Sequence, residues 1–169
     1  QFKRIDRKNV EEIANNLDYF YLAEKLKYYC SVLSQSYVVS LSYDLLFMEE
    51  IINHIKKYKF EDISTIAIYY QIYLTLVETE NEEHYFKLKD LLKKHGLVFP
   101  LDEAQGIYEH ALNYCVRHIN KGSYRFLEEY FLVYEDLLEK ELIYTDGELA
   151  PLHFKNIIVA ALRLGKYEW

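Results

Sequence analysis

Apolar residues recur along this chain at steps of three and four, the spacing that lines one face of an α-helix. Leu22, Leu26, Tyr29, Cys30 and Leu33 predict a first helix opening at Leu17-Asp18, with Asp18 as its N-cap. Ser36 is positioned to cap a second, long helix through Leu41, Leu45, Phe47 or Met48, Ile51, Ile52 and Ile55, fading at Lys56-Lys57-Tyr58. Asp62 caps a third through Ile63, Ile66, Ala67, Tyr70, Tyr73, Leu74 and Val77, and Asn81 precedes a fourth holding Tyr85, Leu88, Leu91 and Leu92. That helix closes at Lys93-Lys94-His95-Gly96, where cations suit the helix dipole and Gly suits a C-cap.

Pro100 marks a break. Asp102 then caps a fifth helix through Ala104, Ile107, Ala111, Leu112, Cys115 and Ile119, ending near Gly122. Ser123 caps a sixth through Phe126, Tyr130, Val133, Tyr134, Leu137 and Leu138. Tyr144 to Glu148 is a surface loop whose Asp146-Gly147 has the composition of a hairpin turn, between flanks too short to define strands. Ala150-Pro151 opens a seventh helix, and Val10 to Asn15 is a candidate eighth. Short connections predict antiparallel neighbours, so the fold class is all-α.

A repeat is legible as well. Tyr29-Cys30 followed by Ser36-Tyr37 parallels Tyr114-Cys115 followed by Ser123-Tyr124, at offsets of 85 and 87 residues. Further along, Tyr43 meets Tyr130 and Ile51 meets Leu138, while Leu17-Asp18 matches Leu101-Asp102. Each copy would hold two helical hairpins, giving units of about forty residues that must stack to bury their apolar stripes. The expected organisation is one helical-repeat domain over 1–169, with hairpins at about 17–58, 61–96, 101–142 and an incomplete one at 151–169. A non-repeating bundle with similarly patterned helices is the alternative. The start at Gln1 and the close on Leu164-Gly165-Lys166-Tyr167-Glu168-Trp169, a helix end and the opening of another, suggest a fragment of a longer protein. The other reading is a short tail whose Trp169 packs back on the last helix.

The last segment, Phe154-x2-Ile157-Ile158-x2-Ala161 followed by Leu164-Gly165-Lys166-Tyr167, resembles a tetratricopeptide repeat. The likeness covers residues 151–169; the earlier hairpins share only period and helix pairing with a repeat of about 34 residues. It implies a solenoid of stacked antiparallel hairpins, a right-handed superhelix whose first helices line a concave peptide-binding groove. The groove-facing positions of the family fall here on Leu152, Lys155, Asn156, Val159, Leu162 and Arg163. Of these, Lys155, Asn156 and Arg163 are types that grip carboxylates or peptide backbone, and solvated surface is their plain alternative.

Composition narrows the function. The 169 residues are 51% hydrophobic and carry a net charge of −7, with 5 Gly and 2 Pro, so a disordered or collagen-like chain is excluded. No run reaches the roughly 18 apolar residues of a membrane span. Two cysteines make no disulfide framework and point to a reducing, cytoplasmic compartment. An acidic chain with dispersed basic residues lacks the footprint for nucleic acid, and Lys56-Lys57-Tyr58-Lys59 reads as a helix end. The 18 tyrosines include Tyr69, Tyr70 and Tyr73 and, on the fifth helix, Tyr108 and Tyr114, candidates for a binding surface or for packing.

The six histidines are scattered and carry no catalytic or metal-binding signature. None has Glu three residues before it, and H-E-x-x-H, C-x-x-C, G-x-S-x-G and a phosphate-cradling Gly loop are missing from the sequence. Cys115 and His118, with His110 above them, read as a core cysteine beside a half-exposed histidine. Glu50 with His54 and Glu80 with His84 are spaced to support helix surfaces. The expectation is a non-enzymatic module without cofactor or metal that binds a protein or peptide segment, neither nucleic acid nor a membrane. Lys155, Asn156, Arg163, Tyr69, Tyr73 and Tyr108 are its candidate contacts. The alternatives are a sensor or oligomerisation portion of a larger regulatory protein and a helical-bundle enzyme or metal protein.

Overall fold

A computed structural model describes residues 7–39, 45–60 and 62–168. Among the described residues are seven α-helices: α1 (Arg7–Val39), α2 (Met48–Tyr58), α3 (Ser64–Val77), α4 (Glu83–His95), α5 (Leu101–Asn120), α6 (Tyr124–Glu139) and α7 (Pro151–Arg163). A short 3-10 turn, Gly96–Val98, follows α4, and two-residue strands β1 (Tyr144–Thr145) and β2 (Glu148–Leu149) lie between α6 and α7. No helix of the described residues is long and apolar enough to cross a membrane. The chain divides into two compact units, 1–84 and 85–169.

In the first unit α1 is one unbroken helix of 33 residues, so Asp18 caps nothing and Val10 to Asn15 is no separate element. Neither Gly nor Pro occurs between Lys8 and Val39, and an Asn or Asp costs a helix interior under about 1 kcal/mol. Ser36, expected to cap the next helix, instead turns its hydroxyl back onto the Leu33 carbonyl at 2.7 Å inside the last turns of α1. The second helix begins twelve residues later, at Met48, after a turn in which Phe47 takes a left-handed φ of 64°. Leu41 and Tyr43 lie outside the described residues, as do Gln1 and Trp169.

Leu22, Leu26, Tyr29 and Cys30 form the buried stripe of α1, and its main packing partner is α3. The Cys30 thiol donates to the Tyr69 carbonyl at 3.4 Å, and burial raises its pKa. The expected first hairpin of 17–58 therefore gives way to an α1–α3 contact as the closest pairing in this unit. Helix α3 buries Ile66, Ile68, Tyr69, Ile72, Leu74 and Leu76, whereas Tyr70 and Tyr73 are half-buried and Val77 is exposed. An almost wholly apolar helix gives periodicity no polar side to read. In the first turn of α4, His84 Nδ1 accepts from Gln71 at 2.9 Å and Nε2 donates to Glu78 at 2.8 Å, so Glu78 and not Glu80 is its acidic partner. In contrast to Tyr29-Cys30 and Tyr114-Cys115, all four buried, the other paired signatures of the repeat differ locally. Ser36 is inside a helix and Ser123 precedes one, while Leu17-Asp18 is mid-helix and Leu101-Asp102 opens α5.

In the second unit the chain reverses direction at each connection. Tyr85 stacks on Tyr114 while Gly96 meets Tyr108, which sets α4 against α5. Tyr108 bonds Asp136 while Tyr114 meets Phe126, which sets α5 against α6. Tyr134 bonds His153 while the Tyr124 hydroxyl reaches the Arg163 carbonyl, which sets α6 against α7. The breaks fall near where the sequence marks them, although Pro100 rather than Asp102 is the N-cap of α5. Gly96 is also not a left-handed cap; it is buried, and a Cβ there would stand 3.0 Å from the Tyr108 hydroxyl. Asp146 and Gly147 take φ of 52° and 79° and close the ladder Tyr144↔Leu149, Thr145↔Glu148, a pairing the sequence was too short to define.

Three helices end the same way. After α5 and α7 a left-handed residue follows the cap, Gly122 at 90° and Gly165 at 72°, and the next two amides return to helix carbonyls. After α6 the bonds Glu141 N to Leu138 O and Leu142 N to Leu137 O repeat that pattern, but the left-handed residue is Glu141 at 56°. A side chain there carries a steric cost that glycine lacks. Glu141→Gly is expected to stabilise the protein by about 1 kcal/mol in chemical denaturation; an unchanged or lower stability would contradict this account of the α6 terminus.

Candidate functional site

The site is built on the second unit, whose interior is aromatic. Tyr85 and Tyr114 stack at 5.1 Å, and Phe126 meets both edge-on at 5.4 and 5.5 Å. His118 lies 4.4 Å from each of Tyr114 and Phe126 and is buried, not half-exposed as expected. The Tyr85 hydroxyl donates to Glu129, which also receives Lys89. Burial, reinforced by the Cys115 thiol and Glu129, raises the Tyr85 pKa. Cys115 is itself pushed up to about 12, chiefly by burial, so it is a protonated core thiol and a poor nucleophile or metal ligand at neutral pH. Among the described residues no group of three or more His, Cys, Asp or Glu is placed to hold a metal ion.

At the other end of the same helices Lys140 Nζ donates to Asp136 at 2.8 Å, to the Tyr108 hydroxyl at 2.9 Å and to the Leu92 carbonyl at 3.3 Å. The Tyr108 phenol also donates to Asp136. Burial first, and that bond second, raise its pKa. Tyr108 is 1% exposed and Tyr69 is 5% exposed, so neither presents a binding surface; both are packing residues. Tyr73 is half-buried on α3 in the first unit.

Lys155, Asn156 and Arg163 do come together, on α7 at the rim of a cleft of about 190 Å³. Val116 and Ile119 of α5, Leu127 and Tyr130 of α6, and Val159 and Ala160 of α7 line the rest of it. Lys155, Val159 and Arg163 recur at intervals of four residues, which keeps them on one helix face. Pro151 at the first helical position starts α7, and buried Ile157, Ala160 and Ala161 fix which side faces in. Val159, on the outer side, stays 45% exposed. Asn156 Nδ2 donates to the Tyr134 hydroxyl at 3.3 Å, Tyr134 also contacts His153 Nδ1 at 3.3 Å, and Tyr130 lies 3.4 Å from Tyr134. Burial raises the Tyr130 pKa, with the Tyr134 bond adding to it, and the bonds of Tyr134 to His153 and Asn156 hold α7 in place.

Leu152 and Leu162, expected to face a groove, are exposed but do not line this cleft. Phe154, the large aromatic of the repeat-like motif, is 57% exposed, while its aliphatic and small partners Ile157 and Ala161 are buried. The cleft floor escaped sequence reasoning. Tyr130 and Leu127 sit near the core stripe of α6, and Val116 is one step off the stripe of α5, so only the packing of three helices reveals the shared wall. The chain matches no protein-family model, no curated protein and no solved structure.

On α5, His110 is held neutral, its pKa pushed down to about 4 by burial and then by the Arg117 guanidinium. An unfolded histidine titrates near 6.5, so as pH falls below about 6.5 the unfolded chain takes up a proton that the folded chain refuses until about 4. Stability is therefore lost on acidification through that window. Between pH 7 and 4.5 the wild type is expected to lose about 2 kcal/mol more than His110→Gln, measured by urea denaturation at each pH; equal losses would show that His110 is not the responsible group.

Proposed function

We propose that this chain is a non-enzymatic interaction module, built as an array of antiparallel helical hairpins, that binds a protein or peptide segment along the α5–α6–α7 cleft. The observation that carries the reading is the cleft itself. Apolar side chains from three helices form an open floor, and two cations stand on its rim. Alternating helix direction from α4 to α7 supports the array, since hairpins arranged in this way leave a groove on one side. The tetratricopeptide likeness of the last segment supports the same direction of argument, as an analogy of pattern.

A binding role also fits the chemistry of the interior. Three buried titratable groups, Tyr85, Tyr108 and Cys115, are locked in packing and tethering contacts and have pKa values raised away from neutrality, which suits structure rather than proton transfer. A reducing cytoplasmic setting suits two unpaired buried cysteines.

The test is selection from a random-peptide display library on the wild type and on Val116→Trp, whose indole would fill the cleft from an exposed position. Clones enriched on the wild type are expected to lose most of their binding to the variant, with helicity unchanged by circular dichroism. Absence of enriched clones, or equal binding to both proteins, would overturn the reading.

A further inference from the structure

Two cations stand on the rim of the α5–α6–α7 cleft. Lys155 and Arg163 are both exposed, and neither has an ion pair among the described residues. Among the described residues no acidic side chain lines the cleft, although the chain as a whole carries a net charge of −7. Two uncompensated cations thus bracket an apolar opening on a protein whose other surfaces average negative. Such a local reversal of sign discriminates among partners more than it adds raw affinity.

The geometry fixes the spacing. Lys155, Val159 and Arg163 stand at consecutive steps of four on α7. Eight residues at 1.5 Å each place the two cations about 12 Å apart along the helix axis, with Val159 midway. Val116, Ile119 and Leu127 line the same opening from α5 and α6, with Leu127 buried at 3% exposure. A cavity of roughly 150 Å³ admits one benzene-sized group, so the observed volume of about 190 Å³ takes a single leucine- or phenylalanine-sized side chain.

We infer that the cleft recognises an acidic segment of another protein that presents one apolar side chain between two carboxylates about 12 Å apart. The apolar side chain enters the floor beside Val159, and the carboxylates pair with Lys155 and Arg163 at the rim. Both pairs stay solvated, so each adds modestly to affinity while the bracketing of the apolar group sets selectivity. The inference rests on the proposed peptide-binding reading and adds the chemistry of the partner.

The test uses the full chain and fluorescein-labelled peptides that are amidated at the C-terminus, so no terminal carboxylate contributes. One probe is a helical peptide with Glu, Leu and Glu at steps of four; another is an extended peptide with the same residues at steps of two, which span a similar distance. Controls replace both Glu by Gln, move one Glu a single position along, or replace both by Lys. Fluorescence anisotropy is expected to show binding of at least one Glu probe, loss of about threefold for each of Lys155→Gln and Arg163→Gln, and loss of more than tenfold for the Lys155→Glu, Arg163→Glu double variant. The Lys peptide is expected to bind that double variant better than the wild type, a rescue that a misfolded protein would not give. Equal affinity for the Glu and Gln peptides, indifference to Glu position, or no effect of charge reversal would overturn the inference. If peptides still bind in a way that Val116→Trp abolishes, the broader reading survives; if Val116→Trp also changes nothing, both fall.

Discussion

Tyr85, Tyr114, His118 and Phe126 meet face to face and edge to face at the centre of the second unit, and the positions of three helices follow from that contact. Aromatic rings bury more area than any aliphatic side chain and restrict one another's orientation, so a cluster of them fixes both distance and rotation between helices. Tyr85 comes from α4, Tyr114 and His118 from α5, and Phe126 from α6. At the far end the Lys140 ammonium holds the Leu92 carbonyl, Asp136 and the Tyr108 phenol together. With one end packed and the other tethered, the helices have little freedom to twist, and α7 docks on a surface whose shape is already set.

The tyrosine richness of the chain acquires a physical meaning in this setting. A buried phenol must satisfy its hydroxyl, and each of Tyr85, Tyr108 and Tyr134 does so on a neighbouring helix, through Glu129, Asp136 and the pair His153 and Asn156. Phenylalanine would supply the area without the directional bond. The same device that stabilises the interior therefore orients the last helix: Tyr134 seats α7 with Ala160 and Ala161 inward and with Lys155, Val159 and Arg163 outward.

Where the sequence carries a hard break, structure followed it. Pro100, the Gly122-Ser123 pair and Ala150-Pro151 each interrupt the helix by a backbone constraint, and α5, α6 and α7 begin within a residue or two of them. Soft signals misled. Asp18 and Ser36 are capping residues by type, but a capping side chain stops a helix only where the chain also turns, and α1 runs past both. In α3 the stripe expected from spacing ran through Tyr70, Tyr73 and Val77, but the helix is apolar nearly all round, and Ile68, Tyr69, Ile72 and Leu76 on an adjoining face are the buried ones. As for the site, the spacing of Lys155 and Arg163 on one helix was legible, whereas Val116, Ile119 and Leu127 became its floor only through the packing of α5 and α6. Tyr69 and Tyr108 show the limit of residue type as a guide, since the same ring suits a binding surface or a core.

Native-state hydrogen exchange on Phe126→Ala is the most direct measurement of whether the aromatic cluster joins three helices into one cooperative body. Removing a buried Phe side chain costs about 3–5 kcal/mol, and the account predicts that slow amides of α4, α5 and α6 lose protection together, by a factor of a hundred or more. Loss confined to the turns of α6 around residue 126, with α4 and the middle of α5 as protected as before, would contradict it.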